Sequence, residues 1–207
     1  VTAQQVLALD LRARVGWLVN IVEKTLGLYS DYFRRESLAD EFIALSWRFA
    51  EFGDVSTGEA NALLERVYAL IDEDARGIQD DYYDAIRLAY LPLGERINLD
   101  ASGRDAVVCV ERAALVLADR LHWVARTTVG PGRTDQYSRR AVAALYGYAH
   151  ATLPVAAEAP PRRGMFDHIP LRLPRPEGGE PPCPEDVIPL HERGELLLLP
   201  GVVWETT

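Results

Sequence analysis

Lysine is all but absent from this chain: of its 207 residues only Lys24 is one, and the remainder of the 22 basic positions are arginine. Set against 31 acidic residues, that leaves a net charge of −9. No cluster of basic side chains stands ready to neutralise a phosphate backbone, so nucleic acid is not an expected partner. Long apolar runs are lacking as well, and none approaches the roughly 18 residues of a membrane span, so no membrane association is expected. Asp10 precedes the first basic residue, unlike the positively charged start of a secretory signal, and the expected location is cytoplasmic. The preference for arginine, alongside abundant alanine, reads as the imprint of a GC-rich genome.

Cysteine is scarce too. Cys109 and Cys183 are too far apart in sequence for a zinc pair, and in an intracellular chain they read as free thiols. There is no G-x-S-x-G nucleophile elbow, and neither cysteine has a histidine beside it in sequence. Phosphate-cradling glycine loops are missing: Gly130-Pro131-Gly132 joins two helical patterns without a preceding strand, and Gly178-Gly179 lies in a proline-rich tail.

What is present is a succession of helical patterns. Thr2 with Gln5 forms a capping box, and Val6, Leu7, Leu11, Val15, Leu18, Val22, Leu26 and Tyr29 recur three, four or seven apart, which predicts one long helix over about 3–29. Ser37 with Asp40 opens a second, with Leu38, Phe42, Leu45 and Phe49 on its apolar stripe and Gly53 as its stop. Ser56 with Glu59 opens a third, which turns Leu63, Val67, Leu70 and Ile71 inward and stops at Gly77. A fourth, about 78–91, is expected to stop at Pro92; a fifth runs from Ser102 to Gly130, and a sixth from Thr134 to Pro154. Trp47, Phe49 and Phe52 read as core aromatics.

From Pro154 the composition changes. Eleven of the 13 prolines fall in residues 154–207, where each removes a backbone donor and fixes φ. Leu196 to Leu199 and Val202-Val203-Trp204, with Pro200-Gly201 between them, suggest two short strands or an extended anchor. The expected architecture is therefore mainly α: a bundle of about six helices (1–153) and a proline-rich arm (154–207). The arm carries one or two short strands and is anchored by Leu197, Leu199 and Trp204 on the bundle or on a partner.

The densest charge lies between Asp72 and Asp84. Asp72, Glu73, Asp74, Asp80, Asp81 and Asp84 face only Arg76, a local balance of −5, and Tyr82 and Tyr83 are interleaved with them. Such a patch steers and grips a basic protein, with tyrosine supplying contact area at little entropic cost. The run Asp80-Asp81-Tyr82-Tyr83-Asp84 also reads D-D-x-x-D. On a helix its carboxylates share a face, as Mg²⁺ with its preference for hard oxygens requires. These five residues resemble the aspartate-rich motif of class I isoprenoid diphosphate synthases and terpene cyclases. That resemblance implies an all-helical enzyme ionising an allylic diphosphate with Mg²⁺ held by Asp80, Asp81 and Asp84. The second metal-binding motif of those families is not found elsewhere in the sequence.

Asp119 and His122 have the i,i+3 spacing of helix-bundle metal ligands, but the histidine that a second pair would need, His150, falls at another level of the expected hairpin. Asp119 reads instead as an ion-pair partner of Arg139 or Arg140, and His150 as complementing a helix dipole. His168 and His191 stand alone among prolines. Two functions follow from these features. The first is a non-catalytic acidic binding protein, needing no cofactor, that neutralises a basic partner in the manner of an immunity protein or serves as a subunit of a larger assembly. The second is a Mg²⁺-dependent enzyme of isoprenoid-diphosphate type.

Overall fold

The computed structural model describes residues 1–26, 38–73, 89–93, 110, 113, 131–173 and 202–204. It is mainly helical. In chain order the elements are α1 (Ala3–Leu7), α2 (Leu11–Leu26), α3 (Leu38–Phe52), α4 (Thr57–Glu73), α5 (Pro131–Glu158), β1 (Leu171–Leu173) and β2 (Val202–Trp204).

The expected long first helix is two helices. The capping box forms as read, with Thr2 N donating to Gln5 Oε1 at 2.9 Å and Gln5 N to Thr2 Oγ1 at 3.3 Å. After Leu7, however, Asp10 starts a new helix: its Oδ1 accepts from Ala13 N and its backbone oxygen from Arg14 N, both at 2.9 Å. A side chain able to serve as an N-cap thus interrupts a periodicity that would otherwise read straight through.

Helix α2 lies at the centre of the described residues. Almost every residue from Val15 to Leu26 is buried, including Trp17, Leu18, Ile21 and Val22. Helix α3 covers one side of it and α5 another, and β1 lies against α5. Gly16 lets the chain beyond α5 approach α2 closely; a Cβ there would come within 2.7 Å of Pro161 Cβ and 3.4 Å of Ala50 Cβ. Helix α3 ends at Gly53, as expected, in the left-handed conformation at φ 72°. Arg12 of α2 completes that end, its guanidinium donating to Ala50 O at 2.9 Å and also to Glu51 O. Ser37, the cap expected for α3, lies outside the described residues.

The capping box of α4 also forms. Ser56 N and Oγ each donate to Glu59 Oε2 at 2.9 Å, and Arg48 of α3 pairs with the same carboxylate. Hydrogen bonding from Arg48, then from Ser56, holds the Glu59 carboxyl at about 2, below its ordinary 4.5. A carboxyl whose folded value is depressed stabilises the fold above its unfolded value, so this contribution is complete above about pH 4.5 and is lost as pH falls toward 2. A ¹³C NMR titration of the Glu59 side chain should place its midpoint near 2, and Arg48→Met should move it part of the way back toward 4.5.

Prolines did not stop the helices where the sequence suggested. Residues 89–93 are helical through Pro92, and α5 passes through Pro154 to Glu158. Pro154 has no N–H to give to the carbonyl four residues earlier, a loss of about 3 kcal/mol in a helix interior. The apolar stripe Ala141, Leu145, Tyr148, Ala149, Leu153 and Ala156 is nevertheless buried across it, and that burial opposes the loss. Helix α5 also begins at Pro131, earlier than Thr134, with the proline at a first-turn position where its missing donor costs nothing. His150 therefore stands eight residues before the helix end, beyond reach of the terminal dipole, and is exposed.

Beyond α5 the chain makes consecutive turns and reaches β1, where Leu171 and Leu173 are fully buried and Arg172 is exposed. Strand β2 pairs with β1 in parallel, Leu171 opposite Val202, Arg172 opposite Val203 and Leu173 opposite Trp204. The expected strand at Val202–Trp204 thus forms, but its partner is a Leu-Arg-Leu segment, not the expected Leu196–Leu199 run. Among the expected core aromatics Trp47 and Phe49 are buried, whereas Phe52, in the last turn of α3, is 69% exposed.

Candidate functional site

The acidic corner begins at the end of α4. The backbone of Asp72 and Glu73 belongs to that helix; Asp74, Asp80, Asp81, Tyr82, Tyr83 and Asp84 lie outside the described residues, and so does the Mg²⁺ reading that rests on three of them. The surface leading to it is described. Ala60, Leu63 and Val67 turn toward α3, while Asn61, Glu65 and Tyr68 face out, with Tyr68 57% exposed. Arg66 is held to Glu41 of α3 through both guanidinium nitrogens, the longer contact being 2.8 Å, so the basic side chain of this stretch is already engaged. Tyr68 precedes Asp72 by four residues, one helical turn.

Of the arm anchors, Leu197 and Leu199 lie outside the described residues, and Trp204 contributes its backbone to β2. Cys109, Asp119, His122, Cys183 and His191 are likewise outside them. Among the described residues no three His, Cys, Asp or Glu side chains gather as a metal site would require.

The structure draws together a different set, which sequence reasoning missed. Along the buried α2, Trp17, Asn20, Glu23 and Lys24 succeed one another at helical spacing, and each meets a polar partner from another element. Trp17 Nε1 donates to Thr152 Oγ1 at 3.0 Å, and the Thr152 hydroxyl in turn donates to Tyr148 O at 2.9 Å. Asn20 Nδ2 donates to the Tyr148 hydroxyl at 2.8 Å. Glu23 accepts from Trp47 Nε1 at 2.9 Å and from Arg163 Nε at 3.1 Å. The Lys24 ammonium, on a residue only 5% exposed, contacts Asp167 Oδ1 at 2.6 Å.

Burial, reinforced by the negative charges of Asp167 and Glu23 and opposed by the Asn20 hydrogen bond, pushes the Tyr148 hydroxyl up to about 12. The phenol therefore stays protonated at any ordinary pH and serves as a hydrogen-bonding group. With its carboxylates, indoles, amide and ammonium all engaged with one another, this seam joins α2, α3, α5 and the turns beyond α5. One sequence signal marks it: Asn20 and Lys24 are polar residues four apart on a helix whose Leu18, Ile21, Val22 and Leu26 are apolar and buried, which means polar groups brought inside with partners.

Comparison of the chain with protein-family models, with curated proteins and with solved structures finds no match. Fold and site define a mainly helical protein with a buried polar seam. No helix among the described residues is long and apolar enough to cross a membrane.

Proposed function

We propose that this chain is a non-catalytic, acidic, helical binding protein that grips a basic protein partner through the corner at residues 72–84. The carrying observation is the segregation of charge: a net −9 over the chain, with the six acids of this corner facing a single arginine. Tyr68, one turn before Asp72 in the sequence, is exposed on the outer face of α4 and adds a tyrosine next to the acidic stretch. Such a surface raises the rate of encounter with a basic protein and disfavours acidic competitors. The architecture that goes with this reading is a six-helix bundle with a proline-rich arm, acting in the cytoplasm, without nucleic acid or membrane as partner. Immunity-like neutralisation of a basic toxin is the role that charge and size fit.

Affinity capture with the full chain, followed by kinetics on the purified complex, tests the proposal. The captured protein should be basic. Replacing Asp80, Asp81 and Asp84 together with Asn should slow association about tenfold at low salt while leaving dissociation and folding nearly unchanged, and the difference should shrink above about 0.5 M salt as the charges are screened. Equal association rates at low salt, with the fold intact, would remove this corner from the interface.

A further inference from the structure

The chain's only lysine is among the most enclosed charged groups of the described residues, and a short turn lies over it. Residues 161–169 run in successive tight turns, with Met165 N bonded to Arg162 O, Asp167 N to Gly164 O and Ile169 N to Phe166 O. Gly164 takes φ 82°, which a side chain would resist. The turn is fastened at both ends by charged tethers. Arg163 pairs with Glu23 through its guanidinium and donates its backbone N–H to Glu51 at 2.6 Å, while Asp167 closes over Lys24. Between them a single buried side chain, Phe166, enters the core.

The outer members of these tethers face water, Arg163 being 58% and Asp167 37% exposed at their side chains. Their pairing is consequently open to screening, unlike the packing of α2 against α3. The turn leads directly into β1, the strand on which β2 is paired, so whatever lifts the turn also loosens the seat of β2.

We infer that the 161–169 turn is a clasp that lifts as a unit from α2 and α3, and that Lys24 is a modification site uncovered only in the lifted state. The folded chain then offers no lysine amine to acylating or amine-conjugating chemistry until the clasp opens. The step itself is ordinary: the amine attacks the carbonyl carbon of an activated acyl donor, the C–N bond forms, the donor's leaving group departs with its electron pair, and the amine proton passes to solvent. Acylation removes the positive charge that Asp167 pairs with, so a modified chain is held in the lifted state.

The test is timed acetylation of the full chain with an N-hydroxysuccinimide ester, read by peptide mass spectrometry, in an Arg139→Lys background whose exposed amine is the internal standard. Lys24 is expected to react on the order of 100-fold more slowly than that standard. Asp167→Asn and, separately, Arg163→Gln should each raise the Lys24 rate about tenfold, as should a rise from 0.05 to 0.5 M salt. Hydrogen exchange of amides in 165–173 should quicken in both variants, with α2 and α3 unaltered. The Arg163→Gln arm decides the matter even if Asp167→Asn folds poorly. An unchanged Lys24 rate in Arg163→Gln would overturn the clasp, as would exchange in α2 rising in step with the turn, or Lys24 reacting as fast as the standard when Arg139→Lys is the only substitution.

Discussion

Trp17→Ala is expected to lower the melting temperature by about 10 °C. The indole is fully buried in the central helix, and its N–H reaches Thr152 Oγ1 at 3.0 Å and Ala149 O at 3.3 Å on α5. Truncating a buried aromatic costs about 3–5 kcal/mol through lost transfer energy and the cavity left behind, and in a chain of this size each kcal/mol corresponds to about 2–4 °C. Trp17→Phe separates the two contributions: it retains most of the packing and loses the hydrogen bonds, so a smaller loss of about 1–2 kcal/mol is expected. Thermal and urea unfolding followed by circular dichroism measures both. If Trp17→Ala melted within about 2 °C of the parent, the seam between α2 and α5 would not be a main support of the fold.

The second large effect is an asymmetry. Asp167→Ala takes the carboxylate away from a Lys24 that is 5% exposed, whereas Lys24→Met leaves a carboxylate that is already 37% exposed and readily hydrated. Breaking a fully buried ion pair by removing one partner costs about 3–5 kcal/mol, and the partial exposure of Asp167 brings the expectation for Asp167→Ala to about 2 kcal/mol. Lys24→Met preserves the stem's volume and brings no unpaired charge inside, so it should cost about 1 kcal/mol or less. Adding Lys24→Met to Asp167→Ala should then recover stability, which is the more discriminating result. A double variant less stable than Asp167→Ala alone would mean that the ammonium is held mainly by something other than Asp167.

Local signals were legible wherever the chain closes its hydrogen bonds with nearby residues. Thr2 with Gln5 and Ser56 with Glu59 cap as read, and Gly53 ends α3, because each needs only groups within three or four residues. The apolar stripe of α3 was legible from its three- and four-residue spacing. Signals that compete were not. Asp10 could be a polar residue on the outer face of a long helix or a cap, and only the packing of α1 against the rest selects the cap. Pro92 and Pro154 could stop a helix or be tolerated inside one, and the burial of Leu93, Leu153 and Ala156 carries the helices through. The Leu-Arg-Leu strand is too short to announce itself, since three residues alternate by chance and the ladder partner lies far along the chain.

The candidate sites divide in the same way. Composition and spacing alone mark the acidic, tyrosine-bearing stretch 72–84 as a candidate, because excess charge needs no partner to be recognised. The polar seam needs four elements in register, and neither the Asn20–Tyr148 nor the Lys24–Asp167 contact has a short-range trace. The mainly helical character, several of the caps and the uneven charge follow from residues close together in the chain, all consequences of backbone hydrogen bonding and side-chain chemistry within a few residues. Packing between distant segments selects which helix lies at the centre of the described residues, which strand meets Val202–Trp204, and the interior place of the single lysine. Those outcomes depend on long-range burial, in which the whole core determines whether a polar side chain finds a partner inside or remains in water.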